Sequence, residues 1–226
     1  GATRENVTVD ETATGEQFRF VLQGPQLSDR EWQAALDATE DASRLGGYVV
    51  LSGSLAPGVP DDFYARATRS AHRHGARAVV DASGEALEAA LDEGVFLIKP
   101  SGRELGELVG ATLTTIEDRV AAAEELVRRG RVETVALTLG GDGAVLVNRE
   151  GTTRLRPPPI EVASTVGAGD SFLAGVVLRL AEGRDIAEAF RAGVAAGAAA
   201  AMTAATELCH RDDVERLEGE LAEASH

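Results

Sequence analysis

Ser164-Thr165-Val166-Gly167-Ala168-Gly169-Asp170-Ser171 runs straight into an apolar helical pattern of Phe172, Leu173, Val176, Val177 and Leu180. Two glycines flank a small residue, so the backbone can adopt dihedrals that other residues resist and can approach a ligand closely. The helix that follows presents unpaired N–H groups and a positive dipole end, which together attract anions. The carboxylate of Asp170 stands at that end. N–H groups for developing negative charge, with a base for an attacking hydroxyl, suit phosphoryl transfer. A plainer alternative is a tight turn capped by an N-terminal aspartate.

Outward from this stretch, helical and strand patterns alternate. Residues 4–10 and 17–22 show spaced apolar positions (Val7, Val9, Phe18, Phe20) around Thr14-Gly15 and read as an antiparallel hairpin. Ser28-x-x-Glu31 is a capping-box pattern that opens a helix to about Ala42. Short apolar strands are expected at 48–51, 76–81, 95–98, 133–139 and 144–148, with another at 152–156. Helices are expected at 60–74, 85–91, 102–109, 115–130, 169–182, 185–204 and 211–223. Continuous apolar strands alternating with helices predict an α/β fold whose mostly parallel sheet is covered on both faces. Ligands of such sheets sit beyond the carboxyl ends of the strands, where this chain places its polar and Gly-rich loops. The hairpin alone breaks the rhythm, so residues 1–24 read as a lid or flap and 25–226 as the core.

The chain carries 22 basic and 37 acidic residues, net −15, without a basic stripe, which argues against nucleic acid or an anionic membrane as partner. An anionic substrate must therefore be held by local positive groups. No apolar run is long enough to span a bilayer. Cys209 is the one cysteine, which excludes an internal disulfide and fits a reducing cytoplasm; it is expected to be a small buried side chain.

Lys99 ends the strand at Ile98-Lys99-Pro100. It reads either as a side chain snorkelling from the sheet end or as a cation for nucleotide phosphates. Thr138-Leu139-Gly140-Gly141-Asp142-Gly143 follows another strand, and its Asp-Gly is an ordinary hairpin signal. The phosphate-loop pattern G-x-x-x-x-G-K-[ST] occurs nowhere in the sequence, so a nucleotide site must be built another way.

The string STVGAGDS, with Lys99-Pro100-Ser101-Gly102-Arg103-Glu104, Thr3-Arg4-Glu5-Asn6 and Ser52-Gly53-Ser54-Leu55, closely resembles the ribokinase-like carbohydrate kinases, and within them the minor-type bacterial 6-phosphofructokinases. The resemblance runs from about Thr3 to the C-terminus. It implies a ribokinase-like fold with a small β lid, Mg-ATP as phosphoryl donor and a phosphorylated hexose as acceptor. Asp170 would be the base, with Gly167, Ala168 and Gly169 forming the anion hole. Lys99, Ser101, Thr138, Gly140, Gly143 and Thr165 would border the nucleotide, and Val194 and Gly197 its adenine. Arg4 and Ser54 would hold the sugar phosphate. Glu104 would serve Mg2+ through water. Ser164, Val166 and the 203–207 segment would hold a monovalent cation such as K+. A homodimer joined through the lid strands is also implied.

Two departures stand out. Ser101 replaces the family asparagine in K-P-N-x-x-E, which shortens the reach toward a metal-bound water, and Ala56 replaces a proline after Leu55. The family's N-terminal part, with its first core strand and a sugar-binding aspartate, is not found in this sequence, which is expected to cover part of a longer chain. Phosphorylation of fructose 6-phosphate to fructose 1,6-bisphosphate is the leading expectation. The alternatives are 1-phosphofructokinase, tagatose-6-phosphate kinase, and a non-catalytic paralogue that binds nucleotide or dimerises.

Overall fold

The computed structural model describes residues 3–11, 14, 17–204 and 207–223. A hairpin comes first. Strand β1 (Asn6–Asp10) pairs antiparallel with β2 (Gln17–Val21), setting Val7 opposite Phe20 and Val9 opposite Phe18. Gly15 of the expected turn lies outside the described residues. The core then runs α1 (Asp29–Ser43), β3 (Tyr48–Ser52), α2 (Phe63–Arg73), β4 (Arg77–Asp81), α3 (Gly84–Asp92), β5 (Val95–Ile98), α4 (Gly102–Val109) and α5 (Ile116–Arg128). It continues β6 (Val132–Thr138), β7 (Ala144–Asn148), β8 (Gly151–Leu155), α6 (Ala168–Ala181), α7 (Ile186–Ala201) and α8 (Arg211–Glu223).

The six core strands form one sheet in chain order, β3-β4-β5-β6-β7-β8. Neighbours from β3 to β6 are parallel, whereas β6, β7 and β8 are antiparallel. The parallel connections are helical crossovers, and the two tight returns after Thr138 and Asn148 leave room only for reversal.

Side-chain alternation sorts the strands onto two cores. Val80, Ile98, Val135, Leu137, Val145 and Val147 face a layer that includes Tyr64, Leu87, Leu105 and Leu126 of α2 to α5. Val79, Leu97, Ala136 and Leu146 face a layer built on α6, α7 and α8. Ser28 forms the capping box read from the sequence, with Glu31 in the reciprocal position, and Thr115 forms a second one with Asp118. Arg211-Asp212-Asp213 is the first turn of α8. Cys209 is half-buried, not buried as expected, because it precedes α8 at the edge of that layer.

The Ala/Gly-rich sequence of α7 is explained by its approach to α6. A Cβ on Gly193 would stand 2.5 Å from Val176 Cγ2 and 2.9 Å from the Phe172 carbonyl oxygen. One on Gly175 would stand 2.9 Å from the Ala192 carbonyl oxygen. The two backbones therefore meet at glycines, which fixes where the N-terminus of α6 sits. Gly193→Val is expected to lower stability by about 1–3 kcal/mol through overpacking, read as a lower urea midpoint.

Candidate active site

The carboxyl ends of β3, β4 and β5 deliver Ser52, Asp81 and the segment starting at Lys99 to one edge of the sheet. Lys99 is only 8% exposed, and its Nζ lies 3.2 Å from Asp81 Oδ1. It does not snorkel out: it turns under the start of α6, where a Cβ on Gly169 would stand 3.2 Å from Nζ. The two glycines of the motif thus have different reasons. Gly167 adopts φ 78° with nothing near its missing side chain, so it serves the turn. Gly169 leaves space for the ammonium group.

In the first turn of α6 the Ala168 N–H, expected in the anion hole, donates instead to the Thr165 carbonyl at 3.4 Å, and the Gly169 and Asp170 N–H groups lack helical acceptors. Asp170 stands in this turn and is exposed. It borders the cleft described below through Gly169 and is not part of its wall. Its charge is nevertheless felt inside the cluster. Burial pushes the Asp81 carboxyl up, Lys99 partly offsets this, and the negative charges of Asp170 and Glu104 push it up further. Asp81 was not singled out from the sequence. An aspartate ending a strand has no spacing signature; the available signal was that it ends β4 as Lys99 follows β5.

Ser101 is the N-cap of α4. Its backbone N–H donates to Glu104 Oε2 at 2.8 Å, and its Oγ accepts from the Glu104 N–H at 3.3 Å. Burial pushes the Glu104 carboxyl up, but the Ser101 N–H and hydroxyl, then Lys99, hold it below its ordinary value overall. The S-x-x-E spacing is thus a capping box as well as part of the cluster. Thr138 joins this edge through its N–H, which donates to the Pro100 carbonyl at 2.9 Å.

A cleft of about 560 Å3 has Gly169 in its wall. Six of the nucleotide candidates line it: Thr138, Gly140, Gly143, Thr165, Val194 and Gly197. Lys99 and Ser101 lie outside its wall. Gly143 adopts φ 90°, and a Cβ there would stand 2.1 Å from the Leu155 carbonyl oxygen, so the loop demands glycine. Gly197 packs against the start of α6, its Cβ position 3.1 Å from the Ala168 carbonyl oxygen, while also lining the cleft. The far wall is Pro157-Pro158-Pro159-Ile160 with Val162, a segment not anticipated from the sequence because it carries no periodic pattern. A second hollow of about 340 Å3 lies at the opposite end of α6, beside the Arg179–Glu218 ion pair, and contains none of these groups.

Arg4 and Ser54, fifty residues apart, meet: Arg4 Nη1 donates to Ser54 Oγ at 3.2 Å. Ser164 is buried, its Oγ accepts from the Val166 N–H at 3.2 Å, and the Ser164 N–H donates to the Ala201 carbonyl at 3.3 Å. This brings Ser164 and Val166 beside the end of α7. Ala205, in the 203–207 segment, lies outside the described residues. Among the described residues no group of three or more His, Cys, Asp or Glu side chains could hold a metal by itself. No helix among them is long and apolar enough to cross a membrane.

The arrangement combines an anion-attracting helix start, a buried cation, an exposed carboxylate and an arginine–serine pair along one sheet edge. Residues 1–212 match the profile of the pfkB family carbohydrate kinases. ATP-dependent 6-phosphofructokinase isozyme 2 of Mycobacterium tuberculosis (strain ATCC 25618 / H37Rv) is 43% identical over 216 residues, covering 96% of this chain and 63% of that protein. The chain thus spans less than two thirds of that relative. 1-Phosphofructokinase of Bacillus subtilis (strain 168) is 36% identical over 203 residues, covering 90% of this chain and 65% of that protein. The solved structure of phosphofructokinase-2 from Escherichia coli in complex with potassium superposes with a TM-score of 0.90 at 39% identity, covering 97% of this chain and 71% of that one.

Proposed function

This chain belongs to the pfkB family of carbohydrate kinases, and from that membership we propose that it is an ATP-dependent sugar-phosphate kinase that converts fructose 6-phosphate to fructose 1,6-bisphosphate. The observation that carries the reading is the Arg4–Ser54 contact of 3.2 Å at the sheet edge that also presents Asp81 and Lys99. An arginine aimed at an open site beside a serine hydroxyl fits a phosphate already on the acceptor, because guanidinium offers a planar fork of donors. The relatives named 6-phosphofructokinase and the cleft beside Gly169 support the same reading.

In this account ATP occupies the cleft with its base between Val194, Gly197 and the proline wall. Its phosphates run toward Gly169 and Lys99. The sugar lies between Arg4 and Asp170. The hydroxyl oxygen of the sugar attacks the γ-phosphorus while Asp170 accepts its proton. The bond from the γ-phosphorus to the bridging oxygen breaks, and ADP leaves with those electrons. First-turn N–H groups at Gly169 and Asp170 stabilise charge on the transferring phosphoryl.

The donor set fits Mg2+, which takes one or two carboxylates and keeps waters and phosphate oxygens. Asp81 and Glu104 are both partly buried, and the negative charge of Glu104 adds to the upward push on the Asp81 carboxyl, which a divalent cation would relieve. Bound with the nucleotide, Mg2+ would neutralise charge on the phosphates. Ser164 and Val166 would serve K+. We also place the protein in the cytoplasm, as a homodimer joined through the hairpin, whose Val7, Val9, Phe18 and Phe20 are all exposed on one face.

A coupled ADP-release assay with fructose 6-phosphate, fructose 1-phosphate and tagatose 6-phosphate tests the assignment. Turnover of fructose 1-phosphate alone would move it to 1-phosphofructokinase, the name of the Bacillus subtilis relative. Arg4→Ala is expected to raise KM for the sugar phosphate at least about tenfold, with KM for ATP unchanged, since a charge-assisted hydrogen bond is lost from one substrate only.

A further inference from the structure

We propose that Tyr64 is a positioning residue that sets the affinity for the phosphorylated sugar by holding the Ser52-Gly53-Ser54 loop, an inference that rests on the function proposed above. Tyr64 is 6% exposed and sits in the first turn of α2. Its hydroxyl donates to the Ser52 carbonyl at 3.2 Å and to the Gly53 carbonyl at 3.0 Å. One phenolic hydrogen serves both, as a three-centre bond. On the other side, the Gly53 N–H donates to the Asp81 carbonyl at 2.9 Å.

Both polar groups of the peptide joining Ser52 to Gly53 are therefore held, and so is the carbonyl of the next peptide. Gly53 sits at φ 94°, a conformation that side-chain-bearing residues resist, so the loop has few ways to relax once these bonds are made. Ser54 follows directly, and its Oγ receives the Arg4 bond. The α2 hydroxyl thus fixes the backbone from which one half of the phosphate seat projects. It also links that seat to β4, whose Asp81 contacts Lys99. Burial, and then the charge of Asp81, pushes the Tyr64 hydroxyl up, so it remains a donor across the neutral range.

Tyr64→Phe retains the buried ring and its packing. Ser52 and Gly53 are exposed, so water can replace the lost donor without leaving a buried carbonyl unpaired. The loss is one of order, not of fold. In the intact protein, Tyr64→Phe is expected to raise KM for fructose 6-phosphate about five- to tenfold while leaving kcat and KM for ATP unchanged. In a Ser54→Ala background the same change is expected to have less than about a twofold effect, because the group being positioned is gone.

An unchanged KM for the sugar phosphate would overturn the inference. So would parallel losses in kcat and both KM values, or full additivity with Ser54→Ala, since each describes structural support alone. Calorimetric titration with fructose 6-phosphate reads the same shift as a change in Kd without turnover. A wild type that binds fructose 6-phosphate but does not phosphorylate it contradicts the kinase reading and leaves the Tyr64 shift readable; one that binds none contradicts both.

Discussion

Asp170→Asn is expected to lower kcat about 10²- to 10⁴-fold, the usual contribution of a positioned general base, and to leave ATP affinity nearly intact. Asp170 is not among the residues that wall the cleft proposed for the nucleotide, so the loss there is expected to be small. The asparagine is isosteric and cannot take the hydroxyl proton. Asp170 is exposed in the first turn of α6, so folding loses only the attraction between a carboxylate and the helix start, a fraction of about 1 kcal/mol. The expected signature is a collapsed kcat, a retained nucleotide Kd and an unshifted Tm. A variant that keeps its kcat would remove Asp170 from the mechanism.

Lys99→Met produces the largest expected loss in stability. It leaves the half-buried Asp81 without the cation 3.2 Å away, and breaking a fully buried pair costs about 3–5 kcal/mol, an upper bound for this one. The direction with pH follows from Asp81. Its carboxyl already titrates above its ordinary value of 3.8, because burial outweighs Lys99. An acid raised by folding binds its proton more tightly in the folded state, so its contribution to stability falls as pH rises from the unfolded value through the folded one. Without Lys99 the folded value climbs further. The deficit relative to wild type is therefore largest at neutral pH and shrinks as pH falls through the raised folded values of the two proteins, where Asp81 takes up its proton with or without Lys99. Urea denaturation of both proteins at several pH values measures it. A deficit constant with pH would show that Asp81 does not depend on Lys99. Activity is expected to fall as well, because Lys99 lies against the Gly169 turn.

The sheet and helices were legible because each element carried its own period, and because Ser28-x-x-Glu31 and Thr115-x-x-Asp118 announce helix starts in the sequence alone. The first antiparallel return of the sheet was readable in the Asp-Gly hairpin signal at Gly140–Gly143. The motif around Gly169 was legible because its glycines and aspartate occupy adjacent positions. What escaped was assembled from afar. Asp81 gains its significance from Lys99, which follows a different strand. Tyr64 gains its own from two carbonyls in a loop that precedes it by eleven residues or more. The proline wall has no periodicity to read. Ser101 and Glu104 show the opposite case: their spacing was read for metal chemistry, and it also writes a helix cap.

Phosphoryl transfer from ATP to the 1-hydroxyl of a sugar already phosphorylated at the other end is the proposed reaction on which every site role above depends. The direct measurement is ³¹P NMR of the intact protein incubated with Mg-ATP and fructose 6-phosphate, run in parallel with Asp170→Asn. The predicted result is a new phosphomonoester signal at the 1-position and stoichiometric ADP with wild type, and neither with the variant over the same interval. ADP and inorganic phosphate without a sugar bisphosphate, or equal product from both proteins, would contradict it.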